Sequence, residues 1–99
     1  MLIVTGLIEV DPKDAPAMRR ATAQAATITR TEDGCHIYAF YEDVEAEGRF
    51  RVYEEWASED ALAAHGKAAH MDEFRAKLGN ITVLSRDIKK FDGGPKRDL

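Results

Sequence analysis

Cys35-His36-Ile37-Tyr38-Ala39-Phe40-Tyr41 and Phe50-Arg51-Val52-Tyr53-Glu54-Glu55-Trp56 decide the fold. Both runs are short and rich in aromatic and β-branched residues. Between them lies an acidic loop, Asp43, Glu45, Glu47 and Gly48. Two such runs around a polar, glycine-ended loop predict a β-hairpin. Strand side chains alternate between faces. Phe50, Val52 and Trp56 therefore point one way and Tyr53 the other, and Tyr38 and Phe40 oppose Ile37, Ala39 and Tyr41. Both faces carry apolar or aromatic side chains.

Upstream, residues 2–10 (Leu2, Ile3, Val4, Leu7, Ile8, Val10) predict a strand buried on both faces. Asp11-Pro12 supplies a helix N-cap followed by proline at the first helical position. Met18, Ala21, Ala25 and Ile28 recur at helical spacing as the expected buried stripe, with Arg19, Arg20, Gln24 and Arg30 away from it. Glu32-Asp33-Gly34 reads as a turn. Downstream, Ser58 is a second N-cap with Glu59 and Asp60 in the first turn, opening a helix over residues 59–78, interrupted near Gly66. Gly79-Asn80 ends it and residues 81–91 predict the last strand.

The order is βαββαβ. This predicts one α+β, ferredoxin-like domain over residues 1–91, with an antiparallel sheet and helices on one face, and a short tail over residues 92–99. The helices cover one side of the sheet, yet both sides are apolar. The uncovered side needs a partner, and a second copy of the chain is the simplest supplier, which predicts a homodimer.

With 99 residues the chain is one domain. Fourteen basic against 18 acidic residues give a net charge of −4, which argues against non-specific nucleic-acid binding and offers no basic face to anionic lipid. The apolar start meets Glu9 and Asp11 too early for a signal peptide or membrane span, and the one cysteine, Cys35, fits a reducing, cytoplasmic setting.

The chain has no glycine-rich phosphate loop, nucleophile elbow or CxxC, so no flavin, nicotinamide or other cofactor is expected from its motifs. His65 and His70 are five residues apart and point apart on a continuous helix, unlike a helical metal pair; no metal is expected without His36 and a carboxylate brought from elsewhere. His65 shares a stripe with Leu62 and Ala69 and aims at the sheet, where it is either a satisfied core histidine or a general base. Glu54 and Glu55 face opposite sides and are no acid–base pair; the expected role is an ion pair with Arg49, Arg51 or Arg86. Cys35 reads as core, and the aromatic residues of the hairpin suit either a core or a flat aromatic ligand.

The stretch from Tyr53-Glu54-Glu55-Trp56 through Ala61-Leu62-Ala63-Ala64-His65, followed by His70 and Phe74, resembles the antibiotic biosynthesis monooxygenase family; so does the glycine-led strand Gly34-Cys35-His36-Ile37-Tyr38. The resemblance implies a dimeric α/β barrel. It further implies an oxygenase working without metal, haem or flavin on a hydroquinone or polycyclic phenol, with oxygen as co-substrate. On this likeness His65 is the implied catalytic base, and Trp56, Tyr53, Tyr38 and His70 are implied to line or support the substrate pocket. Haem-degrading relatives are similar in plan, but their haem-binding histidine falls near Arg75 here. The rival expectation is a non-catalytic dimeric barrel that binds a small apolar or quinone-like molecule; an isomerase or decarboxylase on the same scaffold is a third.

Overall fold

The computed structural model describes residues 1–99. In chain order these form β1 (Leu2–Val10), one 3-10 turn (Pro12–Asp14), α1 (Ala15–Thr29), β2 (Cys35–Glu42), β3 (Arg49–Trp56), α2 (Glu59–Gly66), α3 (Ala69–Leu78) and β4 (Val83–Asp92). The strands make one antiparallel sheet in the order β2-β3-β1-β4, so the ferredoxin-like α+β architecture holds. Pairing sets Val4 opposite Glu54, Gly6 opposite Val52 and Ile88, and Tyr38 opposite Glu54. All of these therefore share the face beneath the helices.

That face holds the core. Leu2, Val4, Tyr38 and Trp56 pack with Ala26 of α1; Ile8, Val10 and Phe50 pack with Met18. A third cluster joins Ala21 and Ala25 of α1 to Phe74 of α3. Burying each large side chain here contributes roughly 1.5–3 kcal/mol. Two features of α1 differ from expectation. Helical structure at Asp11-Pro12 starts as a 3-10 turn before α1 proper. Thr29, four residues beyond Ala25, completes the buried stripe, while Ile28 is turned out and 44% exposed. β1 is also less sealed than expected, since Thr5, Leu7 and Glu9 are only half-buried on its second face.

Two glycines let elements approach closely. A Cβ on Gly6 would lie 2.1 Å from the Asp87 carbonyl oxygen, so β4 can run against β1 only because that side chain is missing. Gly34 has φ +79, and a Cβ there would lie 2.7 Å from Ala61 Cβ, so it lets the α1–β2 turn sit against α2.

On the other face Tyr41 (62%), Phe91 (53%) and Ile37 (36%) stand exposed. Part of this face is covered by the chain's own end. Gly93 donates its backbone N–H to the Met1 carbonyl at 2.8 Å, and Lys96 reaches Glu55 at 2.9 Å. No helix is long and apolar enough to cross a membrane.

Candidate active site

Between the sheet and α2–α3 lies a cavity of about 420 Å³. Its floor is Val4, Ile8, Val52, Glu54, Tyr38 and Phe40; its roof is Leu62, His65, Met71, Phe74 and Leu78; Arg75, Arg86 and Ile88 complete it. The volume and the apolar lining with a few polar groups suit a small organic ligand. A second groove of about 380 Å³ between α1 and α3 is lined by Ala21, Ala23, Ala25, Gln24 and His70 among others, with Lys77 donating to Gln24 at it.

His65 reaches the cavity because α2 is short and well started. The Ser58 side chain accepts the Ala61 N–H at 3.1 Å, with Glu59 and Asp60 in the first turn. Seven residues past the cap, His65 is 6% exposed and packs against Trp56 and Tyr38, with ring centroids 4.8 and 5.2 Å apart. Its Nδ1 lies 3.0 Å from Glu32 Oε2. A carboxylate only accepts, so Nδ1 carries the proton and Nε2 presents a lone pair. Nε2 makes no hydrogen bond within the chain and is not sealed, on a residue that lines the cavity.

Burial pushes the His65 pKa below its ordinary 6.5; Glu32 opposes that shift, and His70 and Arg75 add to it. The ring is thus neutral at pH 7. Across the cavity wall, Glu54 is buried and accepts the Trp56 indole N–H at 2.8 Å. Burial raises its pKa to about 7, against the indole hydrogen bond, with repulsion from Glu32 adding to the rise. Burial also drives the Tyr38 phenol well above its ordinary value, with Glu54 and Glu32 adding, so the hydroxyl stays protonated and is available to donate a hydrogen bond. Its hydroxyl takes no hydrogen bond within the chain.

Several expectations need correction. His65 and His70 do not point apart. The helix breaks at Ala68, whose backbone is extended, and restarts at Ala69. The two rings then stand 6.0 Å apart on either side of Glu32. His70 does not line the cavity; its Nε2 meets Thr29 Oγ1 at 3.1 Å and its ring edges the α1–α3 groove. Tyr53 lies on the opposite face of the sheet and donates its hydroxyl to Glu55, so it does not reach the cavity. Of the two roles expected for Trp56, lining or supporting the pocket, the structure leaves support: it backs His65 from the core and does not line the cavity. Neither glutamate pairs with an arginine: Glu54 serves Trp56, and Glu55 serves Tyr53 and Lys96. The carboxylate brought to the histidines is Glu32, with no part for His36.

Glu32 and Glu54 are the residues that sequence reasoning missed. Glu54 carried a signal, since it alternates with Val52 and Trp56 on the inward face. Glu32 carried none: it meets a residue 33 positions away.

The profile of the antibiotic biosynthesis monooxygenase family matches residues 1–77. The chain belongs to that family. Rv0793 of Mycobacterium tuberculosis, provisionally named a monooxygenase, is 33% identical over 77 residues, covering 78% of this chain and 73% of that protein. The Synechocystis protein sll1783, named as uncharacterized, is 28% identical over 91% of this chain, which spans 61% of that protein's length. A Deinococcus radiodurans crystal structure, provisionally described as an antibiotic biosynthesis monooxygenase, superposes with a TM-score of 0.92 at 25% identity, covering 100% of this chain and 98% of that one. The Rv0793 structure gives 0.86 at 25% identity, with 98% of each chain covered.

Proposed function

We propose that the protein is a monooxygenase that oxidises a hydroquinone or polycyclic phenol with molecular oxygen and takes no cofactor. The observation that carries this reading is the Nε2 of a neutral His65, free of protein partners on a residue that lines an apolar cavity, while Glu32 holds Nδ1. Family membership and the provisional monooxygenase name of Rv0793 support it.

In the proposed reaction the substrate hydroxyl gives its proton to His65 Nε2. The imidazolium that forms faces the Glu32 carboxylate, which stabilises it as the acid of a catalytic triad would. The phenolate, now electron-rich, bonds oxygen at a ring carbon. The O–O bond then breaks. That ring carbon gives up its hydrogen as a proton, one oxygen atom stays on it as a carbonyl that tautomerises to the new hydroxyl, and the other leaves as water, so a hydroquinone and O₂ yield a hydroxyquinone and H₂O. The substrate supplies all four electrons. His65 or Glu54 returns a proton to the departing oxygen; a carboxyl with a pKa of about 7 is poised for that. Tyr38 donates to a substrate oxygen, and the apolar wall of Val4, Ile8, Phe40 and Leu62 excludes water.

The proposal includes a homodimer. Ile37 and Tyr41 on one edge strand and Phe91 on the other stand exposed on the sheet face that the helices leave open, and a second copy would cover them.

Oxidation of a naphthohydroquinone under ¹⁸O₂ tests the reaction. One labelled atom in the product and oxygen uptake equal to the substrate consumed are expected. Saturable binding with no oxygen uptake above the uncatalysed rate would make the chain a binder instead.

A further inference from the structure

Glu32, His65 and His70 each bring one ligand atom within 4.8 Å of the others. The carboxylate stands between the rings, with Oε2 3.0 Å from His65 Nδ1 and Oε1 3.1 Å from His70 Nε2. Oε1 is sealed from solvent and makes no hydrogen bond, while His70 Nε2 meets Thr29 Oγ1 at 3.1 Å. A buried carboxylate oxygen without a partner calls for one. Zinc bonds of about 2.0–2.2 Å set tetrahedral ligands roughly 3.3–3.5 Å apart. The two histidine–carboxylate contacts, at 3.0 and 3.1 Å, are a few tenths of an ångström inside that spacing, and all three ligand atoms lie within 4.8 Å of one another, so ring rotation has to gather them onto one ion. Two imidazoles and a carboxylate are a donor set for zinc. The Glu32 side chain keeps 19% of its exposure, which leaves water a route to a fourth position. Arg75 is the opposing cation, with its guanidinium tied to the Gly66 carbonyl and Asp72.

We propose that Glu32, His65 and His70 bind a zinc-like divalent cation, and that its binding excludes His65 from acting as the base. The second half rests on the proposed function. An imidazole coordinated through Nδ1 carries its remaining proton on Nε2. The nitrogen open to the cavity then donates where the reaction needs an acceptor, so the cation switches the site off.

Calorimetric titration of zinc chloride into the chelator-stripped, full-length protein at neutral pH tests the site. One cation per chain is expected, with affinity falling at least tenfold in His70→Ala and in Glu32→Gln. Absence of saturable binding, or equal binding in both variants, would overturn it. Should Glu32→Gln fail to fold, His70→Ala alone decides. Exclusion is read separately by ¹⁵N NMR of the histidine rings, which needs no turnover. Zinc should move the His65 proton to Nε2; a zinc-loaded His65 still protonated at Nδ1 would overturn the exclusion. Missing oxygen uptake in the zinc-free protein would count against the oxidation chemistry and leave both zinc readouts standing.

Discussion

Glu54 shows how far one side chain can depart from what its strand position alone implies. Alternation placed it inward with Val52 and Trp56, and inward carboxylates are usually paired. The structure gives it no cation, only the Trp56 indole N–H at 2.8 Å. A carboxyl with pKa about 7 in the fold, against an ordinary 4.5, holds more protons folded than unfolded between those values. The folded state is then favoured at low pH and loses stability as pH rises from 4.5 through 7, by about 3 kcal/mol once the group is ionised. Glu54→Gln keeps the acceptor for the indole and removes the charge. It should raise the melting temperature at pH 8 and do little at pH 4.5; an equal shift at both, followed by calorimetry, would contradict this account. The same proton makes Glu54→Gln informative for turnover, where any rate transition near pH 7 should vanish.

At the level of elements, the strands and the first helix were legible because burial imposes a period, two in β2 and β3 and 3.6 in α1. The α1 stripe missed Thr29 in favour of Ile28, because a polar hydroxyl hides a buried position from a reading based on hydrophobicity. The relation of His65 to His70 was not legible. It depends on the break at Ala68, which turns a five-residue spacing from divergent to convergent. Glu32 reads from the sequence only as part of a turn, since nothing local reveals a contact made across the fold. The turn that carries Glu32 is pinned to α2 through Gly34, and this has a measurable consequence. Gly34→Ala meets both the strain of a positive φ and a Cβ 2.7 Å from Ala61 Cβ. It should cost roughly 2–3 kcal/mol. Ser58→Ala removes only the α2 cap and should cost about 1 kcal/mol. Urea melts of both variants would rank them, and the reverse order would mean that the turn is free to move away from α2.

At the scale of the whole molecule, the architecture follows from the βαββαβ order, while its second sheet face remains the least satisfied surface. The exposed Ile37 and Tyr41 at one edge of that face and Phe91 at the other predict association through it. Light scattering at micromolar concentration should give about twice the 11.0 kDa chain mass, and Tyr41→Asp should lower it. A monomer at that concentration would remove the barrel. The cavity, by contrast, is complete within one chain, from Glu54 on the sheet to His65 on α2. Oxygen uptake with a reactive hydroquinone in chelated buffer measures the role of His65 most directly. His65→Ala should stay folded and lose roughly a hundredfold or more in rate. On the acid side the wild-type rate should fall as acid protonates a ring whose pKa lies below 6.5, with Glu32, His70 and Arg75 setting where. Full activity in His65→Ala with the same pH profile would contradict the account and make the histidine structural.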